Sequence, residues 1–176
     1  MVEIESVAVL RSSIKTRVKQ LPGFYKWWFC EDCLNALFVH NHLVIEKKKL
    51  QTKRIKGKDY FALYFGIAKD CQMRATWHIA QHHTPSAVRS GYLSTLRRTL
   101  SALLGVNMTK AENCVNDFID KYCYWEWSYT ANKADAEKIE TVELSTNYYP
   151  LNIMKNKVVD KVIIKTIKYL RKVHQK

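Results

Sequence analysis

Leu63-Tyr-Phe-Gly66-Ile-Ala-Lys-Asp70-Cys-Gln-Met-Arg74-Ala-Thr-Trp-His78-Ile-Ala-Gln-His-His83 is the stretch on which the fold turns. The apolar run from Tyr60 to Ala68, interrupted by Gly66, predicts a strand with a close backbone approach near its end. A helix is predicted from about Asp70, whose carboxylate suits an N-cap. Met73, Trp77 and Ala80 then share one helical face, and Arg74, His78 and Gln81 form the stripe beside it. A permanent cation and a titratable base thus project together just after a strand. Phosphate chemistry uses that pair, a guanidinium to hold phosphoryl oxygens and a group that moves a proton.

Working outward, the length of 176 residues suits a single domain spanning residues 1–176. Hydrophobic residues make up 47%, enough for a core, and the few Gly and Pro exclude a fibrous or disordered chain. The net charge of +13 and a pI near 9.5 favour a polyanionic partner, nucleic acid before an anionic membrane. Five cysteines without regular spacing suit a reducing compartment. The run Val7–Leu10 is too short for a signal sequence and no stretch approaches a membrane span, so the expectation is cytoplasmic.

Residues 1–20 carry Val7, Leu10, Ile14 and Val18 at helical spacing, and Leu21-Pro22-Gly23 stops that helix. The aromatic run Phe24–Phe29 reads as a strand with Tyr25, Trp27 and Phe29 on one side and Phe24 and Trp28 on the other. Cys30 and Cys33, with His40 and His42 downstream, allow a zinc-stabilised adaptor, with a pair of free thiols as the plainer reading. Phe38–Ile45 reads as a further strand. Glu46–Lys58, rich in Lys and Arg, reads as a hairpin that turns at Gly57, with Lys53 and Arg54 as candidate phosphate contacts or solvated charges.

Beyond the opening stretch, Leu93, Leu96, Leu100, Leu103 and Leu104 mark the core stripe of a helix from about Ser90 to Leu104, ended by Gly105. Arg97 and Arg98 lie off that stripe and are candidate backbone contacts. A short helix over residues 110–120 and a strand over 122–129 follow, then a helix capped by Thr130 and running to about Ser145. Its face of Ala136, Ile139, Glu140 and Glu143 sets two carboxylates where apolar groups belong, so each is paired, metal-bound, at a cleft or rotated into solvent. The tail from Met154 to Lys176 reads as an amphipathic basic helix with Val158, Val159, Val162, Ile163, Ile167 and Leu170 on its apolar face, packed on the protein or laid on a membrane. P-loop, dinucleotide-binding, nucleophile-elbow and zinc-protease motifs are missing, as are the signatures of helix-turn-helix and RNA-recognition-motif proteins.

The order of these parts resembles the GIY-YIG nuclease family. Gly23-Phe24-Tyr25 stands for the first signature and Tyr64-Phe65-Gly66 for the second, with Phe for Ile in both. Arg74 falls ten residues after Tyr64, and His78 matches the second helix position. Glu140 and Asn152, with Pro150 two before the Asn, match the closing pattern. The match runs from Gly23 to Ile153. The 39-residue separation of the tyrosines exceeds the linkage of the minimal module and resembles the restriction-enzyme branch.

The resemblance implies an α+β fold, a small mixed or antiparallel sheet flanked by helices. Its core covers about residues 22–153, with N- and C-terminal helical extensions. It implies a metal-dependent DNA endonuclease of restriction, repair or phage type. One Mg²⁺ or Mn²⁺ per active site would sit on Glu140, with Glu143 as a possible second ligand. Arg74 would hold the phosphate, and Tyr25 would be the base with Tyr64 or His78 assisting. Asn152 would orient its neighbours, and Lys69 stands near the position where a basic residue often follows the second signature. The partner would be DNA, with a homodimer one way to cut both strands. A non-catalytic nucleic-acid-binding protein on the same scaffold is the alternative.

Overall fold

The computed structural model describes residues 1–175. In chain order its elements are β1 (Val2–Ser6), α1 (Val7–Arg17), β2 (Gly23–Cys30), α2 (Leu34–Leu37), β3 (Thr52–Ile55), β4 (Lys58–Ala68), α3 (Cys71–Ala80), α4 (Pro85–Arg89), α5 (Thr95–Leu103), α6 (Glu112–Tyr122), β5 (Cys123–Tyr129), α7 (Lys133–Thr146) and α8 (Lys161–Val173). The strands form one five-stranded sheet in the order β1-β5-β2-β4-β3. Every neighbouring pair is antiparallel, and the fold is α+β.

The aromatic alternation of β2 explains the layering. Tyr25, Trp27 and Phe29 join Leu63, Trp125 and Trp127 in the main core, which α1, α3, α5, α6 and α8 cover. Trp28 joins Tyr60, Ala62 and Phe65 on the opposite face, closed by Leu144 of α7 and by Tyr149. The predicted two-sided pattern holds across a bulge between Trp27 and Trp28.

β3 pairs only with Lys58–Phe61 of β4. Farther along, the open edge of β4 is met by the segment after α7: the Leu151 amide donates to the Leu63 carbonyl at 3.0 Å. Asn152 clamps Phe65 with both ends of its amide, Oδ1 accepting from the Phe65 N–H and Nδ2 donating to its carbonyl, each at 2.8 Å. An edge that would otherwise expose unpaired backbone is thereby satisfied without another strand.

Several elements differ from the sequence reading. The predicted N-terminal helix gives up Val2–Ser6 to β1, because the outer edge of β5 offers a full ladder to that segment. Phe38–Ile45 is not a strand: it is a 3-10 turn leading to His42 in the left-handed region, and Asn41 Nδ2 donates to the carbonyls of Leu37 and Leu103. The helix expected from Ser90 begins at Thr95, because Gly91 turns the chain at φ +75° and Ser94 accepts from the Arg97 N–H as the cap. Asn132, not Thr130, caps α7 by accepting from the Asp135 N–H.

The tail is irregular until Asp160 caps α8, so Val158 and Val159 lie outside the helix and Val162 is 65% exposed. Lys176, the end of the predicted tail, lies outside the described residues. Ile163 and Ile167 are buried and α8 packs along α5. Among the described residues no helix is long and apolar enough to cross a membrane.

Candidate active site

Tyr25 reaches its position because Gly66 faces it across the β2–β4 ladder. A Cβ at Gly66 would stand 2.4 Å from the Tyr25 hydroxyl, so only glycine lets the ring lie against β4. The phenol is 1% exposed and hydrogen-bonds His78 Nε2 at 2.8 Å. The other ring nitrogen, Nδ1, meets Ser94 Oγ at 2.7 Å. Tyr25, His78 and Ser94 therefore form a continuous chain of hydrogen bonds.

Burial pushes the Tyr25 phenol well above its ordinary value, with Tyr64 adding to the shift. Burial, helped by Arg74 and Arg97, holds the His78 imidazole well below its own. Both groups are thus neutral at physiological pH. A neutral imidazole has one N–H and one lone pair, so a proton can pass along this chain in either direction. Tyr64 is half-buried beside Tyr25, ring centroids 6.4 Å apart, and burial raises its phenol too.

Tyr25 and Tyr64 open onto a cleft of about 350 Å³ along the edge of β4. Arg74 enters it from α3 and Glu140 from α7, on opposite sides of the sheet, and Asn152 lines it as well. The Arg74 guanidinium rests over Trp77, 5.3 Å from the ring centroid, and has no ion-pair partner among the described residues. Such an uncompensated guanidinium is suited to a phosphate. The Glu140 side chain is 16% exposed, and its Oε2 accepts from Lys155 Nζ at 2.9 Å.

Among the described residues no group of three or more His, Cys, Asp or Glu is placed to hold a metal ion. The donor set at the cleft fits a different arrangement. A hard divalent cation can use one protein carboxylate while keeping waters and a substrate oxygen, and Glu140 offers that carboxylate once Lys155 moves aside. Glu143 does not line the cleft. Tyr149 donates to it at 2.6 Å and Lys26 pairs with it at 3.5 Å, which ties it to the adjoining sheet face.

The flanking cations separate into different roles. Arg97 is 0% exposed and contacts no solvent, so it is not a surface phosphate contact. Its guanidinium donates to His83 Nε2, to the carbonyls of His78 and Ile79 and to Asn116 Oδ1. Lys53 is committed to Glu126 and lies over the Trp28 ring, away from the cleft. Arg54 is exposed at the hairpin and bonds the Gly57 carbonyl. Lys69 is exposed and does not line the cleft. Arg98 is half-buried on α5, close to the cleft residue Thr95. Cys30 and Cys33 are buried, and Cys33 Sγ donates to the Cys30 carbonyl, whereas His40 and His42 are exposed, so the four do not gather into a zinc site.

Sequence reasoning missed Lys133 and Lys155, which line the cleft, and Ser94, which completes the hydrogen-bond chain. The lysines were hidden among many charges of the same kind. Ser94 carried a signal as a possible helix cap three residues before Arg97, but the helix start was placed too early to use it.

A family model described as the GIY-YIG catalytic domain matches residues 23–173. No curated protein matches significantly, and neither does any solved structure.

Proposed function

Since this chain belongs to the GIY-YIG nuclease family, we propose that it is an endonuclease that hydrolyses DNA phosphodiester bonds with one Mg²⁺ or Mn²⁺ at Glu140. The observation that carries the reading is the meeting of Arg74 and Glu140, from opposite sides of the sheet, in one cleft with both tyrosines. The bound cation would supply charge neutralisation at the phosphate and polarise water.

The chain's own residues do the rest. Arg74 holds the non-bridging oxygens and offsets the charge that develops on them. An incoming water gives its proton to the Tyr25 oxygen as the Tyr25 proton passes to His78 Nε2. Both groups start neutral, so neither has to exist as a phenolate beforehand. The phosphate brings the negative charge that makes an imidazolium between Arg74 and Arg97 tolerable. An oxygen–phosphorus bond forms at the water, the bond to the leaving sugar oxygen breaks, and that oxygen takes a proton from solvent while His78 later returns its own to solvent through Tyr25. Lys155 and Lys133 add positive charge along the strand's path. Asn152 acts at one remove, fixing Phe65 beside Gly66.

The long interval between the tyrosines, filled by α2 and β3, supports a restriction-like organisation. With one cleft per chain, double-strand cutting takes a homodimer or two successive nicks. A cytoplasmic setting goes with this reading. The test is incubation with supercoiled, linear and branched DNA in Mg²⁺ or Mn²⁺. Wild type nicks at least one of them, and Glu140→Ala and Arg74→Ala lose cleavage while retaining binding. Salt-sensitive binding without cleavage of any substrate by wild type would replace this reading with a non-catalytic binding protein.

A further inference from the structure

Two guanidinium groups on the helix pair that carries the cleft residue Thr95 remain without a role. Thr95, the first residue of α5, lines the cleft, and Arg98 follows one turn later. α8 packs along α5, and Arg171 stands one turn before Gln175, the residue that meets Arg98. Arg98 Nε is buried without a hydrogen-bond partner. Its Nη2 donates to Gln175 Oε1 at 3.1 Å. Arg171 is half-buried and has neither an ion pair nor a hydrogen bond from its guanidinium among the described residues.

Arg171 also stands near enough to Arg98 and Tyr64 to feel both. Burial first, then the Arg98 charge, lowers its pKa to about 10, while Tyr64 acts in the opposite direction. Among the described residues no carboxylate contributes at either arginine. Two half-buried like charges with an orphan N–H are unfavourable for an empty protein. They become favourable when an anion with several acceptor oxygens joins them, and guanidinium is the side chain best matched to phosphate.

We propose that Arg98 and Arg171 form a second phosphate subsite beside Tyr64, gripping a phosphate of the nucleic-acid strand that neighbours the one at Arg74. The identity of the ligand rests on the nuclease reading; the anion preference of the pair does not. The subsite ties the basic C-terminal helix to the cleft and sets the path of the strand past Tyr64. It acts on substrate affinity and strand alignment, not on the reacting atoms.

The test uses Arg98→Gln, Arg171→Gln and the double variant in the full chain. Binding of a DNA duplex is measured against salt, cleavage is measured as kcat and KM, and melting is followed with and without inorganic phosphate. The salt slope is expected to fall by about one per arginine removed. KM rises at least fivefold while kcat stays within twofold. Without phosphate each variant melts at or above the wild-type temperature, because a repulsion is relieved, and phosphate stabilises it less than wild type. A methylphosphonate placed beside the scissile bond weakens wild type and leaves the double variant unaffected.

An unchanged salt slope and KM would overturn the subsite. So would an equal loss of melting temperature in both buffers, which marks a purely structural role. If wild type cleaves nothing but the variants lose salt slope and phosphate stabilisation, the subsite stands and the nuclease reading falls. If wild type cleaves normally and the variants match it throughout, the subsite alone falls.

Discussion

At Gly66 a single methyl group decides whether the site exists. The Cβ of an alanine would overlap the ring of Tyr25, which is buried and has no room to retreat. Gly66→Ala is therefore expected to lower cleavage at least tenfold and to destabilise the fold by about 1–3 kcal/mol through overpacking, measured by urea unfolding alongside the assay. Tyr25→Phe keeps the packing and removes only the hydroxyl, so cleavage falls by about 10²-fold or more with little change in DNA affinity. Retained cleavage in that variant would exclude Tyr25 from the proton path. The pH–rate profile follows from His78. Its pKa is held well below 6.5 by burial, so the neutral form needed to take a proton persists on acidification. The acid limb of kcat/KM is expected below the ordinary imidazole range; a limb near pH 10 would mean that a phenolate is required instead.

At the scale of elements, α3 is the part that must be held still, since it carries Arg74 and His78. Arg97 does this from α5 by donating to the carbonyls of His78 and Ile79, and Arg11 of α1 donates to the Ile79 carbonyl as well. Arg97→Met should destabilise the protein by about 3 kcal/mol, since buried acceptors lose a charged donor. It should leave the salt slope of DNA binding unchanged. A reduced slope with normal stability would return Arg97 to the substrate-contact role its sequence position suggested. The open edge of β4 depends likewise on one amide. Asn152→Ala leaves the Phe65 N–H and carbonyl without partners and should cost about 1–3 kcal/mol, read by thermal or denaturant unfolding.

For the whole molecule, acid is the expected weakness. Arg97 Nε donates to His83 Nε2, and His83 Nδ1 faces the Met108 carbonyl at 2.7 Å, so that imidazole must be neutral with its proton on Nδ1. Burial and Arg97 lower its pKa from 6.5, and His78 shifts the same way. The unfolded chain therefore binds more protons than the folded one between the depressed values and about 6.5. Stability is complete above that window and is lost as the pH falls through it. The melting temperature should drop between pH 7 and 5, and His83→Gln should flatten the drop. An equally steep fall in that variant would assign the acid sensitivity elsewhere.

Sequence alone determined what local rules control. The turn at Gly57, the Asp70 cap, the two-sided aromatic strand and a close backbone approach at Gly66 follow from periodicity and from sterics over a few residues; that the approaching group is Tyr25 is set by the pairing of β2 with β4. The spacing of the tyrosines, Arg74, His78, Glu140 and Asn152 in the chain was enough to name the family. Tertiary structure decided which charges are free. Arg97 and Arg98 are adjacent in sequence, yet one is sealed inside by carbonyls and a histidine while the other reaches Gln175 and keeps an Nε without a partner. The same holds for Lys155 among the tail lysines, and for β1, a segment with helical spacing that the edge of β5 takes as a strand. A charge or an edge acquires its role from the partner across from it, and that partner is set by contacts between residues distant in the chain.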